Sequence, residues 1–329
     1  MRVLVTGGSG FLGREVIKAL VDREYEVRNF SRRAAYLPDL PSVEPFAGSV
    51  LEPEAVKEAM QGCQAVIHMA GKVSRDRRDT GELMRLHVDG TRLVLQAALD
   101  AQVERVVYMS TSGTIAVSED PTEMLNESAT YPTELVRRWP YYLSKIFAEQ
   151  EAMRFVRERQ LPLICLNPSL LLGPGDVELS STSDIDRFLD GMIPAIPKGG
   201  MSFVDVRDTA ETTVSALKRG RPGERYLMTA ENLTTEDFFR RVARISGRPA
   251  PLVNLPDVVT RWSSKLLEGV GALGKLKLPV NDVDLEMGRH GWWADSKKAR
   301  LELGFRPRTP EETLFDTIQW IREQKKLQD

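Results

Sequence analysis

What this chain has little of narrows it first. Its two cysteines, Cys63 and Cys165, lie far apart with no CxxC pair. That usage excludes a disulfide framework or a zinc ribbon and suits a reducing compartment. The three histidines, His68, His87 and His290, stand at no ligand spacing, so no metal site is expected. Positive charge is not in excess: 45 Lys and Arg face 47 Asp and Glu, which offers nothing to nucleic acid or an anionic membrane. No apolar run reaches the about 18 residues a spanning helix needs. The opening MRVLVTGG breaks into glycines before the apolar stretch of a signal peptide could form. A globular, cytoplasmic protein is the expectation, and 42% hydrophobic with 28% charged residues agrees with it.

What is present is an alternation. VLVT (3–6), YEVRNF (25–30), AVIHMA (65–70), RVVYMS (105–110) and LPLICLN (161–167) read as strands. Residues 11–23, 81–100 and 141–159 read as helices, the first with one apolar stripe through Val16, Ile17, Leu20 and Val21. Such alternation builds parallel βαβ units, and right-handed crossovers turn them into a Rossmann-type doubly wound sheet. After about residue 170 the rhythm loosens, which predicts a smaller C-terminal α/β substrate subdomain. We therefore expect residues 1–170 to bind a dinucleotide. Residues 171–329 would mainly bind substrate, with some segments returning to the main sheet. Helices are predicted near 206–218 and 235–246. TPEE (309–312) reads as a capping box, and DSKKARLELGF (295–305) as a short helix capped by Asp295 and stopped by Gly304.

TGGSGFLG (6–13) sits between strand and helix, where glycines let a backbone turn sharply and approach a pyrophosphate. It reads as Gly8-x-Gly10-x-x-Gly13 or as Gly7-x-x-Gly10-x-x-Gly13. An NAD site expects an acid at the end of the second strand, to hold the ribose hydroxyls. Here that strand ends in RNFSRR (28–33), with no acid. Ser31, Arg32 and Arg33 suit a 2′-phosphate instead, so NADP is expected over NAD. Further on, PYYLSK (140–145) offers two tyrosines within one helical turn of Lys145, and spacing alone allows either. Among Ser110, Thr111 and Ser112, strand alternation separates Thr111 from the two serines and goes no further.

With these motifs in place the chain resembles the extended short-chain dehydrogenase/reductase family, nearly end to end. TGGSGFLG looks like its TGxxGxxG loop, and HMAG (68–71) like the segment lying along the cofactor. YMSTSGT (108–114) is similar to the strand of the catalytic serine, YYLSKIFAEQEAMR (141–154) to the YxxxK helix, and NPSLLLGPGD (167–176) to the nicotinamide-side loop. The nearest look is to the dihydroflavonol-4-reductase-like branch, whose bacterial members include hopanoid-associated sugar epimerase-like proteins.

The resemblance implies a catalytic trio of Ser112, Tyr141 and Lys145. Tyr141 would be the acid, its pKa lowered by Lys145 and an oxidised nicotinamide, and Tyr142 would be left to packing or the substrate rim. Cofactor contacts would come from Gly7, Ser9, Gly10, Phe11 and Leu12, from Arg32, from Ser49 and Val50, and from Ala70 and Gly71. Tyr141, Lys145, Pro168 and Ser169 would join them, the segment Asn167-Pro168-Ser169 placing backbone donors against the nicotinamide amide. His68 and His87 would be satisfied partners near the cofactor.

Two departures stand out. Gly48-Ser49-Val50 replaces the family's Gly-Asp-Leu, and His87 replaces an Asn. The expected activity is NADPH-dependent reduction of a small-molecule ketone or aldehyde of dihydroflavonol, sterol or isoprenoid type, by a homodimer. The alternatives are a nucleotide-sugar epimerase or dehydratase holding NAD tightly, and a non-catalytic NADP-binding regulator. IPKGGMSFVDVRD (196–208) offers little polar anchoring for a sugar nucleotide. VVTRWSSKLLEGVGALGKL (258–276) reads as subdomain packing, a lid, a dimer patch or a membrane-surface helix.

Overall fold

A computed structural model describes residues 1–32, 40, 42–193, 195–250, 253–255 and 282–328. The stretch 258–276 and Arg33 lie outside the described residues. Seven parallel strands form the main sheet: β1 (Arg2–Thr6), β2 (Glu26–Ser31), β3 (Val43–Ala47), β4 (Ala65–His68), β5 (Arg105–Met109), β6 (Leu163–Pro168) and, from far downstream, Arg225–Met228. Between β6 and that strand come β7 (Leu170–Leu172), β8 (Ala195–Pro197) and β9 (Gly200–Asp205), so Arg225–Met228 is β10. The order across the sheet is β10-β6-β5-β4-β1-β2-β3. The chain therefore winds one way from β1 to β3 and the other from β4 to β10, and the switch between β1 and β4 opens a crevice at the strands' carboxyl ends.

Alternate residues of each strand face opposite layers. Val3 and Val5 of β1 join one core, with Val16, Ile17 and Leu20 of helix α1 (Phe11–Val21). Leu4 joins the other, with Val56 and Met60 of α2 (Pro53–Met60). That second layer continues through a long helical segment and one further helix. The segment is α3 (Thr80–Met84), a π-helical turn (Arg85–Asp89) and α4 (Gly90–Asp100) in direct succession. After the short α5 (Thr133–Val136), α6 (Pro140–Arg159) adds Ala148, Ala152 and Phe155 to the same core.

The C-terminal part has its own core. α7 (Ser183–Leu189) and α9 (Thr235–Ser246) pack with Phe203 of β9, and Leu314 and Ile318 of the last helix join them. β11 (Glu231–Thr234) pairs antiparallel with β9, which pairs parallel with β7. β12 (Val253–Leu255) pairs with β8. α8 (Val206–Arg219) crosses back to lie on the main sheet beside α1, sharing its core through Ala210, Val214 and Leu217. α10 (Asp282–Met287) and α11 (Pro310–Gln328) follow. The Thr309 hydroxyl accepts from Glu312 N–H at 3.3 Å, which is half of the expected capping box. Asp295 accepts from Lys297 N–H, and Gly304 at φ +72° stops the π-helical turn Ala299–Leu303, as the sequence predicts. Among the described residues no helix is long and apolar enough to cross a membrane.

Candidate active site

β1 ends at Thr6 and α1 begins at Phe11, so GGSG makes the whole turn. Gly7 takes φ +76°, and a Cβ there would stand 2.8 Å from the Ala70 nitrogen. Gly13 rests directly on the Gly7 carbonyl and the Gly8 backbone, where no side chain fits. The turn is closed by Gly10 N–H donating to Gly7 C=O at 3.1 Å. α1 carries no side-chain cap and no acid in its first turn, so its positive end is left for an anion. A pyrophosphate fits this cradle.

The cradle opens into a cavity of about 1550 Å³. That exceeds the roughly 300–1,000 Å³ of a single small-ligand site and leaves room for a dinucleotide and a second molecule. The residues proposed for catalysis and cofactor contact border it: Gly7, Ser9, Gly10, Phe11 and Leu12, Arg32, Ser49, Val50, Ala70 and Gly71, and Ser112, Tyr141, Lys145, Pro168 and Ser169. Arg32 is exposed at the end of β2. Ser49 shapes the entry to α2: its hydroxyl accepts from Leu51 N–H and its own N–H donates to Glu52, each at 3.2 Å.

Behind the cradle, Thr6 and the two buried histidines are paired, while the Asn29 amide beneath Gly8 has no hydrogen-bond partner among the described residues. Thr6 Oγ1 accepts from the Met69 and Ala70 amides at 3.2 Å and meets His68 Nδ1 at 2.7 Å; His68 Nε2 reaches Thr91 at 3.1 Å. His87 Nε2 accepts from Lys72 N–H at 3.1 Å, so Nδ1 carries the proton and donates to Ser144 Oγ at 2.8 Å. Ser144 in turn donates to the Tyr141 carbonyl at 2.7 Å. Burial, with Lys145 adding to it, lowers His68 to about 3 and His87 to about 2, so both rings are neutral. Both histidines are thus satisfied partners.

α6 carries Tyr141, Tyr142 and Lys145 together. Lys145 Nζ donates to the Met109 carbonyl at the end of β5, at 2.7 Å, and lies 5.0 Å from the Tyr108 ring centre. Burial lowers its ammonium to about 8. Burial also pushes the Tyr141 phenol up, and Tyr142 adds to that. The lowering expected from Lys145 together with an oxidised nicotinamide does not come from Lys145 by itself, whose ammonium is directed at the backbone of β5. Ser110 is spent on Glu149, at 2.5 Å. Ser112 opens the turn Ser112–Thr114 at the cavity wall. The strand ends at Met109, so the simple alternation used on the sequence does not run through 110–112.

A nucleotide cradle at the first crossover and a Tyr-Lys helix at the cavity wall are the parts of one known family. Residues 3–228 match its model, described as NAD dependent epimerase/dehydratase. The chain belongs to that family. Within it, the chain is of the extended short-chain dehydrogenase/reductase type, in the dihydroflavonol-4-reductase-like branch, and is an NAD(P)-dependent oxidoreductase. It is 32% identical to a Synechocystis sp. protein provisionally named dihydroflavonol 4-reductase, over 97% of this chain and 94% of the relative. It is 29% identical to sterol demethylase protein B of Methylococcus capsulatus, over 98% and 99%. The crystal structure of gox2253 superposes with TM-score 0.84 at 30% identity, covering 98% of both chains. UDP-glucose 4-epimerase of Thermotoga maritima shares the fold, at TM-score 0.76 and 21% identity over 99% of this chain and all of the other.

In this family member the C-terminal part lines the cavity with both apolar and charged side chains. They are Leu171, Met201 and Phe239 with Met287 of α10, and beside them Asp184 and Arg187 of α7 and Asp284 of α10. Tyr142 stands 4.8 Å from Trp292, ring centre to ring centre, and Trp292 stacks on Trp139 at 5.6 Å. A Cβ at Gly113 would collide with the Tyr142 ring. Arg75, on the loop after β4, ties α10 through Asp284 at 3.0 Å and α7 through Asp184 at 3.5 Å.

The loop after β6 differs from expectation. Pro168 has no N–H, and the N–H and hydroxyl of Ser169 both go to the Met228 carbonyl, at 2.9 and 3.1 Å. These two residues border the cavity without offering it those donors. Asp176 further along gathers Ser180, Ser181 and Thr182 before the first turn of α7. Sequence reasoning passed over Arg75, Trp139 and Glu149, none of which stands in a motif with its partners.

Proposed function

We propose that this protein is an NADP-dependent reductase of an apolar ketone or aldehyde, with Ser112, Tyr141 and Lys145 as its reacting group. The observation that carries the reading is the one cavity bordered together by the α1 cradle, Ser112, the Tyr141–Lys145 helix and the apolar Leu171, Met201, Phe239 and Met287. When bound, the reduced dinucleotide supplies the hydride to the carbonyl carbon. The cradle of Gly7, Gly10 and the α1 amides would hold its pyrophosphate, and Arg32 its 2′-phosphate. Lys145, with one N–H on Met109, keeps two for the ribose hydroxyls. Ser112 donates a hydrogen bond to the substrate oxygen, and Tyr141 gives that oxygen its proton as negative charge develops there.

Residues 1–170 act mainly as the dinucleotide unit, and 171–329 as the substrate unit with Arg225–Met228 returned to the sheet. The apolar lining favours a sterol, isoprenoid or phenolic carbonyl over a sugar nucleotide. Two buried free cysteines agree with a cytoplasmic setting. A homodimer would pair α4 and α6, whose outer side exposes Phe147; sedimentation as a monomer alone would remove that part.

The test is a panel of apolar carbonyls read at the nicotinamide absorbance, with NADPH and NADH in parallel. Turnover with NADPH is expected to exceed that with NADH. Arg32→Ala should lower kcat/KM for NADPH by about tenfold and leave NADH unchanged, in keeping with about 1–2 kcal/mol for one exposed phosphate contact. NADPH oxidation that survives Tyr141→Phe unchanged would sink the assignment.

A further inference from the structure

Glu149 lies on α6 one turn beyond Lys145, on the same buried stripe, with no exposed surface. An apolar side chain would pack that stripe without the cost of burying a carboxylate. Its partners come from five places in the fold. Oε2 meets Ser110 Oγ just after β5 at 2.5 Å, Thr114 Oγ1 in the Ser112–Thr114 turn at 2.7 Å, and Asn167 Nδ2 on β6 at 2.8 Å. Oε1 faces Tyr131 OH at 3.3 Å and Arg225 of β10 at 3.5 Å. The Arg225 guanidinium continues to the Glu127 carbonyl at 2.7 Å.

We propose that Glu149 is a positioning residue, one buried carboxylate that fixes the turn carrying Ser112, and the ends of β5 and β6, against the helix carrying Tyr141 and Lys145. The inference rests on the reading of those three residues as the reacting group. It acts in two ways. Through Ser110, Thr114 and Asn167 it sets where the Ser112 hydroxyl stands relative to the Tyr141 phenol. Through its charge it supports the Lys145 ammonium from within the same helix. The other groups facing Lys145 are the Tyr108 ring and Met109 carbonyl of β5, Cys165 of β6, His68 of β4 and His87 of the π-helical turn. Burial is the larger effect and lowers the amine; the Glu149 charge, the Met109 carbonyl and the Tyr108 ring favour its charged form.

Glu149→Gln and Ser110→Ala in the full chain test this. Each is assayed for kcat, KM and dinucleotide affinity, and Lys145 is titrated by NMR of the ¹³Cε-labelled lysines, assigned by its loss in Lys145→Met. Glu149→Gln should lower kcat by about 10–100-fold while leaving KM and dinucleotide affinity within about twofold. It should also move the Lys145 midpoint down by about one pH unit. Ser110→Ala should lower kcat by about three- to tenfold and leave that midpoint in place. Should Glu149→Gln fail to fold, Ser110→Ala decides alone: unchanged kcat overturns the proposal. A folded Glu149→Gln with unchanged kcat and midpoint overturns it too. So does a parallel loss of kcat, KM and dinucleotide affinity, which would mean general loosening. The Lys145 titration needs no turnover, so failure of the carbonyl assay in the unsubstituted protein refutes the reductase reading without touching this measurement.

Discussion

The two tyrosines of PYYLSK differ in what surrounds them rather than in how far they stand from Lys145. Tyr142 belongs to a ring cluster with Trp139 and Trp292 and presses on Gly113, the residue after Ser112. Tyr141 meets the His87 ring and the Tyr142 ring edge-on and borders the cavity. Tyr142→Phe should keep kcat within about twofold, because the ring and its contacts stay. Tyr142→Ala should raise KM and lower stability by about 2–4 kcal/mol, measured by urea unfolding. Tyr141→Phe should lower kcat by at least about 100-fold with little change in unfolding midpoint. Equal losses in the two Phe variants would reverse the assignment. Spacing left both tyrosines open and a family resemblance chose between them; the ring cluster joins the start of α6 to Trp292, about 150 positions later, a contact that no local pattern announces. Glu149 was hidden for a related reason. A carboxylate in a helix of alternating charge reads as a solvated face until the fold turns that face inward.

At the scale of elements, the glycine loop and the strands that flank it were the most legible part. Strand, glycines and apolar-striped helix follow within twenty residues, and each is set by local chemistry. Gly13→Ala would drive a methyl into the Gly7 and Gly8 backbone. It should weaken NADPH binding by at least about tenfold and cost about 1–3 kcal/mol, seen in a fluorescence titration and in urea unfolding. Unchanged binding would mean the cradle is not where the dinucleotide sits. Other elements gave no local signal. β3 contains Pro45, which a central strand would refuse; it survives because β3 is the sheet edge. β10 is four residues long and finds its place only through β6, some sixty positions earlier. The π-helical turn within the predicted helix 81–100 leaves the apolar period nearly intact, yet it brings His87 to Lys72 and Ser144.

For the molecule as a whole, the two buried neutral histidines make stability depend on acid. Both have folded pKa values depressed well below the ordinary 6.5, to about 3 and about 2. The unfolded chain therefore binds protons that the folded chain refuses, and stability falls as pH drops below about 6.5. Between pH 7 and pH 5 each should remove roughly 2 kcal/mol. Urea unfolding at the two pH values checks this, and His87→Asn should halve the difference whatever it does to stability at pH 7. An unchanged difference would mean that His87 is protonated in the folded state. The seven-stranded sheet has a further consequence, in time rather than in energy. A ribosome completes β6 before it makes the three small strands, α7 and α8 that precede β10. At ~5–20 residues per second, the interval lasts roughly 3–10 s. Throughout it, the nascent chain presents β6 with an unpaired outer edge, and Glu149 waits for the guanidinium of Arg225. The edge of β6 thus stays open to other chains until late in synthesis, when the strand that seals it also delivers the cation to the buried carboxylate.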